Sequence, residues 1–406
     1  MQKRFNVLAA LMGNLLEWYD FTLYGVFATI IAATFFNATD MTSALMQTFA
    51  VFAVGYFMRP IGGIILAHFA DTRSASKILL FTYALMGLVT LGIGLLPSYQ
   101  QLGWWASFWL VLLRLLQGFA VGGEFPGSMI MLRKFAHPQF PALTLSLAVV
   151  SAMGGLLLGF AIAALFAHIM SPHYLASTGW RYAFLLGFVL AIVGIILRRR
   201  WLTSVATQPN TRVPLLFLWQ QYKRHIFIAV LLVAQTAVFT ALTSVFLEVY
   251  WVRYLHLEFA HAMLLSLLAI FIQMLCLPLG AYLNDRYRNH VKWAKFSTVI
   301  TLLSVYPLFY FMQHYITLAA ILLIVIYSLS ICSSAYLIIE LFPPAVRYSG
   351  VALTHGVTMS LIVGLTPLVM NSLLLKFGLL SPAVVLIIVS VLNLIALIRY
   401  PDKKLT

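Results

Sequence analysis

Residues 13–25 read GNLLEWYDFTLYG, and they place two carboxylates, Glu17 and Asp20, inside an apolar run from about residue 5 to residue 36. A charged side chain at the centre of a bilayer costs about 3 kcal/mol or more. On a helix, Asn14, Glu17, Asp20 and Tyr24 follow at i, i+3, i+6 and i+10. That spacing confines them to roughly a third of the helix circumference. One face of the first spanning helix is therefore polar and must look into protein or water. The rest of the chain has to supply its partners.

The composition demands the same setting. Of 406 residues 63% are hydrophobic and only 9% charged, and the mean hydropathy is +0.98. These values exclude a soluble globular domain and imply an all-α membrane protein of many spans. The net charge of +15 does not point to nucleic acid, because Lys and Arg fall in short clusters between apolar runs. The N-terminal run, with Lys3 and Arg4 before it, reads as an uncleaved first span. Cys276 and Cys332 lie in apolar runs as unpaired packing residues. The ten histidines form no HExxH or comparable spacing, and no GxxxxGK[ST] loop occurs. Metal, cofactor and ATP chemistry are not expected. No nucleophile–base constellation suggests an enzyme.

Twelve stretches of spanning length run at about 5–36, 44–70, 78–97, 104–132, 141–169, 180–197, 224–251, 259–284, 292–312, 315–340, 348–375 and 379–399. With the N-terminus inside, the cytoplasmic segments hold 20 of the 25 Lys and Arg, among them Arg198, Arg199 and Arg200. Outer segments keep Arg181, Arg253 and Lys376, and Arg59 and Arg114 lie within spans. This asymmetry puts both termini in the cytoplasm. The expected organisation is a six-helix bundle over 1–197, a basic, proline-broken linker over 198–223, and a second six-helix bundle over 224–406. Asp71 and Asp285 are 214 residues apart, Glu124 and Glu340 are 216 apart, and Arg133 and Arg347 are 214 apart. Three matched charges in one register suggest a duplicated unit.

In the fourth stretch, Arg114, Gln117, Val121 and Glu124 again share one helix face. Arg114 lies roughly 15 Å below the outer end of its span, and Glu17 and Asp20 roughly 18–22 Å above the inner end of theirs. Arg114 and the acids thus meet at similar depth, where direct pairing is the cheapest arrangement. If Asp20 moves toward or away from Arg114 during transport, its proton affinity changes with the state. A static ion pair that sets helix register is the plainer reading of the same residues. Arg59, also near mid-membrane, either faces an anionic substrate or neutralises Glu17 or Glu124. In the second half, Glu248 and Glu340 sit near span ends, as interfacial or gate residues do. The small residues of SAMGGLLLGF, 151–160, read as a helix-packing surface.

The chain resembles the major facilitator superfamily, and within it the metabolite–proton symporter family. The motifs that carry the resemblance are GNLLEWYDFTLYG at 13–25, RPIGG at 59–63, RLLQGFAVGGE at 114–124, WRYAFLLG at 180–187 and ELFPPAVRYSG at 340–350. The resemblance implies twelve helices in two pseudo-symmetric bundles with a rocker-switch cycle. It also implies proton coupling through Asp20 and Arg114. Similar transporters carry α-ketoglutarate, citrate, shikimate, other carboxylates, proline or betaine. The family's second-to-third loop pattern, GxxxDRxGRR, is reduced here. Asp71 survives, but Ala67, Thr72, Ser74, Ala75 and Ser76 replace much of the rest, with Arg73 and Lys77 the remaining cations. The eighth-to-ninth loop keeps Asp285 and Arg286. A weaker inner latch, or one rebuilt on Arg73 and Lys77, is expected.

These readings converge on a monomeric, proton-coupled importer of a small carboxylate-type metabolite in a bacterial inner membrane. Asp20, assisted by Glu17 and tuned by Arg114, would carry the proton. Asn14, Tyr24, Arg59, Gln117 and Glu124 would line the substrate site. Asp71, Arg73, Lys77, Asp285, Arg286 and Arg347 would form the inner gate. Its partners are the substrate, protons and the lipid bilayer, with no nucleic acid. Uptake of a zwitterionic osmolyte or a siderophore, proton-coupled export, and a non-transporting sensor are the alternatives.

Overall fold

The computed structural model describes residues 2–37, 41–70, 75–201 and 214–401. Among them the architecture is helical, with one isolated β-bridge between His137 and Phe140. The long helices are α1 (Gln2–Val26), α2 (Met41–Phe69), α3 (Ala75–Leu95), α4 (Trp104–Phe135), α5 (Pro141–Ile169) and α6 (Trp180–Trp201). They continue with α7 (Lys223–Ala241), α8 (Phe259–Tyr287), α9 (His290–Met312), α10 (Ile316–Leu341, with a turn at 332–333), α11 (Arg347–Phe377) and α12 (Ser381–Ile398).

Among the described residues, eleven helices are long and apolar enough to cross a membrane. The twelfth expected span, α1, is helical throughout but lies outside those eleven. Its buried Asn14, Glu17 and Asp20 dilute the apolar run. Hydropathy therefore fails on the helix that carries the most polar chemistry. Large apolar side chains such as Leu303, Phe377 and Met46 are more than two-thirds exposed. In hydrocarbon such exposure carries no hydrophobic penalty. Trp104, Trp105 and Trp109 are exposed at the start of α4, where amphipathic rings suit the headgroup layer.

The chain divides into two compact units. The first is Met1–Phe135 with Ser151–Pro214. Its tightest seam joins α2 and α4. A Cβ at Gly118 would lie 1.9 Å from the Gly55 carbonyl oxygen, and one at Gly122 would lie 2.1 Å from that of Arg59. Only glycine lets the two backbones approach so closely, as small-residue packing in membranes requires. The 151–160 stretch of α5 packs on α1, where a Cβ at Gly155 would lie 2.2 Å from the Leu15 carbonyl. Buried rings of Tyr19, Phe27, Phe35, Tyr83, Trp180 and Phe184 fill the core. The Tyr19 hydroxyl donates to the Ala183 carbonyl at 2.7 Å and so ties α1 to α6.

The second unit is Ala136–Val150 with Leu215–Thr406. The first turns of α5 group here because Asp285 of α8 caps them. Its carboxylate accepts from the backbone N–H of Ala142 at 3.0 Å and of Leu143 at 2.8 Å. Pro141 opens α5, so the next two residues carry the first unpaired donors. A carboxylate there also complements the helix dipole. Phe140 stacks on Tyr282 beside it, with ring centroids 5.6 Å apart.

The α2–α4 seam yields a direct test. Gly118→Leu should abolish a monodisperse peak on gel filtration in mild detergent. Gly154→Ala, whose Cβ meets nothing within 4 Å, should leave the peak unchanged. Equal behaviour of the two variants would show that the close approach is dispensable.

Candidate functional site

Three buried polar clusters occupy the first unit, and each rests on a carboxylate. The first centres on Asp20, which is 1% exposed. Its Oδ2 accepts from the Thr90 hydroxyl of α3 and, at 2.6 Å, from the Gln117 amide of α4. Gln117 Oε1 in turn accepts from Arg114 Nη1. The expected direct pairing of Arg114 with the acids is thus corrected: Gln117 stands between Arg114 and Asp20. Gln117 follows Arg114 by three residues and shares its face, so its amide can present an acceptor to the cation and a donor to the anion. The Arg114 guanidinium lies 3.5 Å from the Tyr24 ring centroid, a cation–π contact. Tyr24 itself donates to the Thr48 carbonyl at 3.1 Å.

The second cluster joins Glu17 to Arg59 at 3.0 Å. Of the two sequence readings of Arg59, the geometry has it neutralising Glu17. Its guanidinium also lies 4.0 Å from the Tyr56 ring centroid. Between the two clusters is a cavity of about 30 Å³, bounded by Glu17, Arg59, Arg114, Gln117 and the rings of Phe21 and Phe52. That is room for about one water molecule. Several polar atoms here have no hydrogen-bond partner: Arg114 Nε and Nη2, Glu17 Oε2 and Asp20 Oδ1. Of these, Arg114 and Glu17 line the small space, the pattern of a site that receives a polar guest, whereas Asp20 is not among its lining residues and its Oδ1 lies beside Gly187 of α6.

Glu124, expected at the substrate, lies in a third cluster. Its carboxylate pairs with Arg198 of α6, and Oε2 also accepts from the Thr82 hydroxyl at 2.8 Å. Arg198 further donates to the carbonyls of Ala9 at 2.9 Å and Leu79 at 2.7 Å. It lies over the Tyr83 ring with the centroid 4.4 Å away. By sequence Arg198 is one of the cytoplasmic charges and opens the linker. The structure corrects that: α6 continues past residue 197 and Arg198 is 1% exposed. Gly13 makes room for this pair, since a Cβ there would fall 1.6 Å from Glu124 Oε1. Asn14, also expected at the substrate, donates to the Ser128 hydroxyl at 3.1 Å.

Of the expected gate residues, Asp71 and Arg73 lie outside the described residues, and Lys77 is exposed at the start of α3. Asp285 caps α5, with His290 Nδ1 3.9 Å from it. Arg286 is exposed and donates to the Tyr282 hydroxyl at 3.3 Å, while Arg347 Nε donates to the Phe342 carbonyl at 3.1 Å.

The second unit holds a polar cluster that sequence reasoning missed. Gln235 of α7 donates to Ser330 at 3.1 Å, and Asn393 of α12 donates to Gln235 and, at 3.0 Å, to Thr298. The signal was available in the repeat register. Gln235 follows Asp20 by 215 residues, Ser330 follows Gln117 by 213, and Thr298 follows Thr82 by 216. These residues are neutral, so the matched charges of the sequence do not mark them.

Comparisons with known proteins agree with this architecture. A family model described as Major Facilitator Superfamily matches residues 10–356. The citrate-proton symporter of Klebsiella pneumoniae is 30% identical over 91% of this chain and 85% of its own. The ectoine/proline transporter ProP of Corynebacterium glutamicum is 28% identical over 98% of this chain and 84% of its own. In fold, the chain is similar to the proton:xylose symporter XylE bound to 6-bromo-6-deoxy-D-glucose. That likeness has a TM-score of 0.76 at 17% identity and covers 98% of this chain and 94% of the other.

The third cluster carries a stability prediction. Glu124→Gln should lower stability by about 3–5 kcal/mol, because it strands a buried guanidinium. Combining Glu124→Leu with Arg198→Met should recover most of that loss in thermal unfolding of the detergent-solubilised protein. Strictly additive losses would mean that the two side chains act independently.

Proposed function

The chain belongs to the major facilitator superfamily and is a multi-pass membrane transporter, and on that premise we propose that it is a proton-coupled symporter of a small organic anion. The substrate is a carboxylate-type metabolite, moved by alternating access across a bacterial inner membrane, with both termini cytoplasmic. Two six-helix bundles, joined by the segment 198–223, would carry out that cycle.

The observation that supports this reading is charge parity. Among the described residues of the first unit, the membrane-embedded ionisable clusters contain three carboxylates, Glu17, Asp20 and Glu124, and three guanidiniums, Arg59, Arg114 and Arg198. With all six ionised, the set is neutral. A substrate carboxylate docking on the free Arg114 nitrogens adds one negative charge. In a low-dielectric interior an uncompensated charge is expensive, so a proton arrives with the anion. Asp20 is the group placed to take it. Its Oδ1 is unpartnered, and it communicates with Arg114 through Gln117. Glu124 is excluded by its closed pairing with Arg198. Glu17, paired on one oxygen by Arg59, is the reserve acceptor for a second proton.

Release follows by the same reasoning in reverse. Once the proton leaves Asp20, parity is broken and the anion loses its place beside Arg114. Coupling therefore needs only electroneutrality of the cluster and access from alternate sides.

Two measurements check this. In proteoliposomes, Asp20→Asn should abolish proton-driven accumulation of the carboxylate while leaving counterflow exchange measurable, since the amide mimics the protonated acid. Uphill uptake at the native rate would remove Asp20 from the mechanism. A monocarboxylate should also enter in response to a pH gradient with no net charge movement. Current that scales with uptake would contradict one proton per negative charge.

A further inference from the structure

A second, larger cavity lies in the first unit and shares no residue with the Asp20 and Glu17 clusters. It measures about 840 Å³ and is open to one side. That volume falls within the usual range for small-molecule sites. Three segments bound it: the short helix Ala28–Phe35 that continues α1, the end of α3 with the loop beyond it, and the π-helical turn Leu175–Gly179 leading into α6. Its lining is rich in hydroxyls and amides, including Thr34, Ser98, Gln101, Ser177 and Thr178.

The charge of the lining is one-sided. Among the described residues, Arg181 and His173 are its ionisable lining residues, and no carboxylate lines it. Arg181 is fixed in place. Nη1 donates to the carbonyls of Gly94 at 3.1 Å and Leu96 at 2.6 Å, and the guanidinium lies 4.7 Å from the ring centroid of the fully buried Trp180. Those bonds close the C-terminal end of α3 and explain why an arginine stands here. They use one nitrogen of three. Nε and Nη2 make no hydrogen bond to the described residues and remain for a guest. By the distribution of basic residues this is the outer face, where Arg181 is one of three Lys and Arg among 25. A fixed cation there is conspicuous.

We propose that this cup is a peripheral anion site that takes a carboxylate or phosphate group on Arg181. Further oxygens of the guest would bond to the surrounding hydroxyls and amides. The guest is either a dissolved organic anion or the phosphate of a lipid headgroup. A dissolved guest would make the cup a capture site that raises the local concentration of substrate before it reaches Arg114. That role rests on the carboxylate-symport reading, whereas the site itself does not.

The test uses the full-length protein and a cavity-filling substitution, Ala176→Trp, at an exposed lining position. Arg181→Lys serves as a second variant that keeps the charge but loses the fork. Binding of radiolabelled citrate and of inorganic phosphate is measured in lipid-depleted detergent. Retention of phosphatidylglycerol against phosphatidylethanolamine is measured by native mass spectrometry. A dissolved-anion site predicts at least a tenfold loss of citrate or phosphate affinity in Ala176→Trp, and an intermediate loss in Arg181→Lys. A headgroup site predicts unchanged solute binding, with preferential retention of phosphatidylglycerol lost in Ala176→Trp. Folded variants that match the native protein in both assays would overturn the proposal. If the native protein accumulates no carboxylate yet shows either binding signature, the symport reading fails and the cup stands.

Discussion

A carboxylate inside a bilayer must face protein or a water-filled cavity, and in this fold each buried acid takes donors from other helices. That constraint organises the first unit. Asp20 of α1 draws on α3 and α4, Glu17 of α1 on α2, and Glu124 of α4 on α3 and α6. Each acid thus fixes the rotation and depth of at least two helices at once. The glycines follow from the same demand. Gly55, Gly118 and Gly122 bring α2 against α4 until Arg59 reaches Glu17, and Gly13 clears the space that Glu124 and Arg198 occupy. Packing and electrostatics are here one problem, because a side chain on any of these glycines would displace a charge from its partner.

The three clusters differ in how complete they are. Glu124 and Arg198 are closed: the carboxylate and the guanidinium between them meet two carbonyls, a hydroxyl and an aromatic face. The Asp20 and Glu17 clusters are open: atoms on Arg114, Asp20 and Glu17 are unpartnered, and Arg114 and Glu17 line a space for about one water. A closed buried pair holds register. An open one has capacity for a proton or an anion. The division between structural and chemical charge in this unit is therefore a division in hydrogen-bond satisfaction, since all three carboxylates are buried.

At similar sequence spacings the second unit carries neutral polar residues. Gln235 stands in the register of Asp20, Ser330 in that of Gln117 and Thr298 in that of Thr82, and the three join Asn393 in a neutral buried network. Amides and hydroxyls can tie helices together much as the acids do, but they do not take up a proton as a carboxylate can. On the proposed reading, proton chemistry belongs to the first unit and the second contributes its framework.

The amino-acid sequence by itself determined the helical membrane class, the polar face of α1, and the shared depth of Glu17, Asp20 and Arg114. These follow from the solvent: apolar runs of spanning length have one stable form in lipid, and an acid within such a run must face inward. Which partner each charge takes was decided by tertiary structure alone. Sequence reasoning joined Arg114 to Asp20 directly and counted Arg198 among the cytoplasmic charges of the linker. The fold instead inserted Gln117 and buried Arg198 against Glu124. In a soluble helix the apolar stripe would have fixed rotation and narrowed the choices. A spanning helix is apolar toward lipid and toward its neighbours alike, so its rotation, and with it every cross-helix partner, is settled only when the helices pack.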